Sequence, residues 1–153
     1  MDKELLKKDR MRFVKNKASS NLAYLSIIFN VLYFISIYSS DVDNHYYTIL
    51  IGVSVVYNLL FLLTAFLSSE GLKNYKISYA VVIAVIGAMQ IVRIFGFPLD
   101  GITTTVGDVK VMGLGQFVYV VCMLSLSAAC AIASGVIGIV RTRELEAYKK
   151  TIQ

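Results

Sequence analysis

The chain has 153 residues, of which 57% are hydrophobic and 16% charged, and it carries a net charge of +5 at neutral pH. A soluble domain would hold about 45–50% apolar and about 25% charged residues, and a body this small has too much outside to hide the surplus. The composition excludes an ordinary water-soluble globule. Seven of the fifteen Lys and Arg lie before residue 18 and four lie after residue 140, a distribution at the flanks of apolar runs that speaks for membrane topology rather than nucleic-acid binding.

The first predicted element is a short basic helix over Asp2–Lys17, weakly amphipathic because Leu5, Leu6, Phe13 and Val14 share their arc with Asp9, Arg10 and Lys17. It reads as a topology determinant, with attachment to anionic headgroups as the alternative. Four apolar runs then follow, at Leu22–Ser39, Tyr47–Leu67, Ile77–Phe97 and Met112–Val140. The first three have roughly the 20 residues that a helix needs to cross the hydrocarbon core, and the last is longer than necessary, its start at Gly113 and Gly115 expected to fray or lie in the interface. A charged leader of nearly twenty residues and the lack of an A-x-A-like site speak against cleavage of the first run as a signal peptide.

Arm, middle loop and tail hold thirteen basic residues, against Lys110 alone in the other two connections. The positive-inside rule then puts both termini in the cytoplasm of a multi-pass cell-membrane protein. No Pro/Ser-rich linker divides the sequence, so residues 1–153 read as one integral membrane domain. The expected fold class is all-α: a four-transmembrane-helix bundle with the short basic N-terminal helix.

Polar residues inside spans are costly and therefore informative. Asn30 and Asn58 fall at similar depths in the first two spans, so an antiparallel helix pair would bring them together as interhelical glue. Ala80, Ala84 and Gly87 share a face of the third span, with Gln90 beside them. Gln116, Val120, Ser127, Ala131, Ser134, Gly135 and Gly138 share a face of the fourth. Small residues let backbones approach closely, and these faces are expected to pack on each other within one chain, with dimerisation as the alternative.

Arg93 is the only formal charge inside a span. It lies about one turn below the outer end of the third helix, near Gln90 and within reach of Gln116, with Asp100 and Asp108 as candidate ionic partners. Snorkelling toward the interface or a structural ion pair is the plainer expectation for it, and anion or headgroup recognition the sharper one.

The connection containing Pro98 to Val111 holds two β-branched runs, Ile102–Val106 and Val109–Val111, around Gly107-Asp108. That pattern predicts a small extracytoplasmic β-hairpin, an extended loop being the alternative. Asp41, Asp43 and His45 are too few to fix a metal geometry, and no metal or cofactor is expected. Cys122 and Cys130, eight residues apart in one helix, stand about 12 Å apart along its axis, too far for a disulfide.

No His, Asp or Glu lies beside Ser125, Ser127 or Cys122 in the fourth span, so no enzyme is expected. The sequence reading is an accessory, assembly or interaction subunit of a membrane complex, partnered by the bilayer and by itself or another membrane protein. A small oligomeric transporter or channel is the runner-up, weakened by the absence of intramembrane carboxylates and of proline in the span interiors.

Overall fold

A computed structural model describes residues 15–38, 45–103, 105–106, 109–110 and 112–152. The expected basic helix over 2–17 falls outside these, apart from Lys15–Lys17, as do Asp41 and Asp43. The described helices are α1 (Lys17–Tyr38), α2 (His45–Lys73), α3 (Ile77–Ile94), α4 (Phe97–Thr103) and α5 (Leu114–Ile152). Four of them, α1, α2, α3 and α5, are long and apolar enough to cross a membrane. Their outward faces are aliphatic and exposed, as at Ile35, Val56, Leu63, Val85 and Val136. Interior protein would not leave such faces bare; lipid is the solvent that suits them.

The helices run up, down, up and down. Each packs on its neighbours in the ring α1–α2–α3–α5, with α5 seated most closely, against both α1 and α3, and α2–α3 the loosest seam. The chain termini share one end of this bundle, the terminal end. The other is the far end.

Helix ends differ from the expected spans because backbone hydrogen bonding continues where hydropathy stops. α2 runs six residues past Leu67, through Ser68-Ser69-Glu70, and α5 runs twelve past Val140 through a charged segment. α3 stops at Ile94, earlier than expected, where Phe95 N–H and Gly96 N–H turn back to Val92 O and Arg93 O, both at 3.1 Å. The terminal-end turn between α2 and α3 closes around Tyr75, whose φ of 56° is left-handed. Tyr75 N–H bonds Leu72 O at 3.1 Å and Lys76 N–H bonds Gly71 O at 3.2 Å, the paired bonds that satisfy the last carbonyls of a helix. α1 starts beside this turn: Asn16 N–H reaches Lys73 O at 3.3 Å, and Asn16 Oδ1 caps Ser19 N–H at 3.4 Å.

The expected β-hairpin is not supported as an element of the fold. Ile102 and Thr103, assigned to its first strand, finish α4 instead. Thr103 Oγ1 donates to Leu99 O at 3.0 Å, and Pro98 occupies the first turn, where its missing N–H costs nothing. Among the described residues of the connection, Thr105–Val106 and Val109–Lys110 face each other, antiparallel, over two residues a side. That is too short to stand as a sheet, and the connection is fastened by Met112 N–H to Gly101 O at 3.0 Å.

Small residues set the close contacts of α5. A Cβ on Gly135 would stand 2.6 Å from Ala80 O and 2.7 Å from Ala84 Cβ, and one on Gly87 would stand 2.9 Å from Ala131 Cβ. Gly138 faces Ala80 and Ser19 in the same way. The two small-residue faces therefore pack on each other within the chain. On its other side, α5 meets α1 through two reciprocal serine pairs. Ser19 Oγ donates to Ser134 O at 2.6 Å and Ser134 Oγ to Ser19 O at 2.7 Å. Ser26 and Ser127 exchange the same two bonds, each at 2.9 Å. The pairs are seven residues apart on both helices, the repeat of a left-handed seam.

In a Ser19→Ala, Ser134→Ala double-mutant cycle, we expect a coupling of about 0.6 kcal/mol, and no more than about 2, as for other interhelical hydrogen bonds in lipid. Unfolding of the purified chain in mixed micelles measures it, and strict additivity would show that the bonds contribute nothing.

Candidate functional site

The far half of the bundle interior holds a polar cluster beside the apolar group Tyr33, Ile37, Val120 and Leu124. At its centre Gln90 of α3, fully buried, donates from Nε2 to Oδ1 of the equally buried Asn30 of α1 at 2.9 Å. The remaining amide atoms, Asn30 Nδ2 and Gln90 Oε1, have no hydrogen-bond partner among the described residues. One turn farther out, about 4.5 Å along the axis, lies Arg93.

The Arg93 side chain turns into the bundle rather than out to the interface. Its Nη1 donates to Asn58 Oδ1 at 2.7 Å and its Nη2 to Ser54 Oγ at 2.5 Å, both on α2. The guanidinium carbon lies 4.5 Å from the centroid of the Tyr33 ring of α1 and 4.7 Å from that of Tyr57 of α2. Three helices thus hold one cation. Ser54, Tyr57 and Asn58 fall within a single turn and a little more of α2, so that turn supplies both acceptors and one ring. Aromatic faces attract a cation through their quadrupole, an effect that grows when water is excluded.

This arrangement corrects two expectations. Asn30 and Asn58 do not pair with each other: each asparagine points to α3, one to Gln90 and the other to Arg93, one turn farther out. Arg93 does not snorkel, because neutral acceptors and two rings wait inside at the right level. Of its anticipated ionic partners, Asp108 and the side chain of Asp100 lie outside what the structure describes. Among the described residues no carboxylate stands within ion-pair distance of Arg93. Gln116 is not part of this cluster; its Nε2 donates to Ser36 O at 3.0 Å and ties α5 to the far end of α1. Tyr33, Tyr57 and Ser54 were not singled out from sequence as partners of Arg93. The available signal was that Tyr33 and Ser54 share faces with Asn30 and Asn58.

The terminal end has its own polar cluster, between α1 and α2. Tyr24 Oη donates to Glu70 Oε1 at 2.6 Å, and Lys73 pairs with the same carboxylate while lying 5.3 Å from the centroid of the Tyr24 ring. Exposed as they are, these contacts are screened by solvent. No group of three or more His, Cys, Asp and Glu occurs among the described residues. Cys122 and Cys130 are both free.

On the outer surface, α3 and α5 flank an apolar groove of about 580 Å³ lined by Ile91, Ile94, Ser125, Ala129, Ile132 and Val136, among others. Ser125 and Ala129, one turn apart, are exposed there. They form a second small-residue stripe on α5, distinct from the one spent against α3.

Compared with known proteins, the chain matches no family model, no curated protein and no solved structure. The class its fold defines is a four-helix protein with the helix lengths and apolar surface of a multi-pass membrane protein.

Proposed function

We propose that this chain is a non-catalytic interaction subunit of the cell membrane, one that receives an apolar transmembrane helix of another membrane protein in the α3–α5 groove. The groove carries this reading. Small side chains at Ser125, Ala129 and Ala133 let a neighbouring backbone come close, which is how helices associate where no hydrophobic drive exists. Residues 125–136 cover about 16 Å of helix, wholly within an apolar run, and the lining contributes no charge. An uncharged helix at mid-bilayer is what fits. The distribution of basic residues supports an orientation with the terminal end in the cytoplasm.

A double substitution Ser125→Leu, Ala129→Leu fills the groove without touching the buried seams. It is expected to abolish copurification of other membrane proteins in mild detergent while leaving the unfolding transition within about 0.5 kcal/mol of the parent, as for surface changes generally. An unaltered set of copurifying proteins would defeat the reading. A second reading, a small oligomeric transporter or channel, draws on the polar column Asn30, Gln90, Asn58 and Arg93. Ion or solute flux through proteoliposomes of the purified chain alone would favour it.

A further inference from the structure

We propose that Arg93 anchors a phosphate oxyanion at the far end of the α2–α3 seam. From the reading above this takes only the membrane placement, and it requires no partner protein. α3 has 18 residues, so it is about 27 Å long, close to the roughly 30 Å of the hydrocarbon core. Arg93 is its penultimate residue, so its backbone lies near one boundary of that core, and the guanidinium, turned inward onto Asn58 and Ser54, is closest to that leaflet.

Among the described residues, no carboxylate stands within ion-pair distance of that charge. Both acceptors, Asn58 and Ser54, are neutral. A guanidinium has five N–H donors in one plane, and these two bonds do not exhaust them. Tyr33 and Tyr57 flank it closely. An oxyanion is the complementary group, since the planar fork matches phosphate geometry.

Access is consistent with this. Arg93 is only partly buried, and α2–α3 is the loosest of the four seams. One turn deeper, the buried Asn30 Nδ2 is a donor without a partner among the described residues, so the interior stays polar beyond the first contact. The phosphate could belong to a phospholipid headgroup or arrive as a free anion; the chemistry at Arg93 is the same.

The test uses the full chain purified in a neutral detergent, with thermal unfolding and native mass spectrometry as readouts. The probes are phosphatidylglycerol added to the micelles and, separately, inorganic phosphate, each against a chloride buffer. A rise in Tm with retained phospholipid assigns the site to a headgroup. A rise with inorganic phosphate alone assigns it to a free anion. Arg93→Met is expected to remove the response. Ser54→Asp keeps the arginine but places a carboxylate beside Nη2, and is expected to weaken probe binding by about tenfold or more, the loss of a charge-assisted contact. Wild-type protein indifferent to both probes, or S54D responding as the wild type does, overturns the proposal.

Discussion

Gly135→Ile is expected to separate α3 from α5 and to cost about 3 kcal/mol or more of folding free energy, near the top of the range for overpacked interiors. The first added carbon alone would meet Ala80 O at 2.6 Å and Ala84 Cβ at 2.7 Å, with Ala84 N at 3.0 Å. Carbon atoms rest about 3.5–4.0 Å apart, so the helices must part by about an ångström before the rest of the side chain is placed. The neighbouring residue on α5, Ser134, shares two hydrogen bonds with Ser19, so a displaced α5 disturbs the α1 seam as well. Gly52→Ala is the control. Nothing lies within 4 Å of a Cβ built there, and replacing an exposed mid-helix glycine by alanine should stabilise by about 0.5–1 kcal/mol. Unfolding in mixed micelles would show opposite signs for the two substitutions. Equal small effects would mean that the α3–α5 contact is looser than the structure has it.

What the sequence made legible was everything governed by depth, and little that depends on azimuth. Hydropathy located four runs because the cost of a bare polar group in lipid is large. It misjudged the ends of α2 and α5, since a helix leaving the bilayer keeps its hydrogen bonds while its side chains become charged. Depth also suggested that Asn30 and Asn58 would meet, and they do not. Which way each points depends on the ring order of the helices and on where α3 presents Gln90 and Arg93, neither of which is written in one helix alone. The small-residue faces were readable because Ala80, Ala84 and Gly87 match Ala131, Gly135 and Gly138 in character as well as in spacing. The serine pairs could have been found from their common interval: Ser19 and Ser26 on one helix, Ser127 and Ser134 on another, seven residues apart in opposite directions. The β-branched run at Ile102–Val106 was cut short by its neighbour, because Phe97-Pro98-Leu99 starts a helix that absorbs Ile102 and Thr103 and leaves Thr105–Val106 for pairing.

The inward turn of Arg93 yields the other large effect. Asn58→Leu keeps the volume of the side chain but withdraws the acceptor at 2.7 Å from Nη1. A hydrogen bond to a charged group contributes about 1.5–3 kcal/mol, and here the loss falls on a cation with no ion-pair partner among the described residues, so a cost of about 3 kcal/mol is expected. Arg93→Met should cost less, about 1–2 kcal/mol, because it orphans only the neutral Asn58 and Ser54 and gives up two ring contacts. With both substitutions present, most of the loss should return, since removing both members of a buried polar pair approaches neutrality whereas removing one does not. The coupling between Asn58 and Arg93 is therefore about 3 kcal/mol, measured by a double-mutant cycle in phosphate-free detergent. A snorkelling arginine gives a different result: Asn58→Leu would cost the same in the Arg93→Met background as in the wild type. Additivity of that kind would remove Arg93 from the bundle interior.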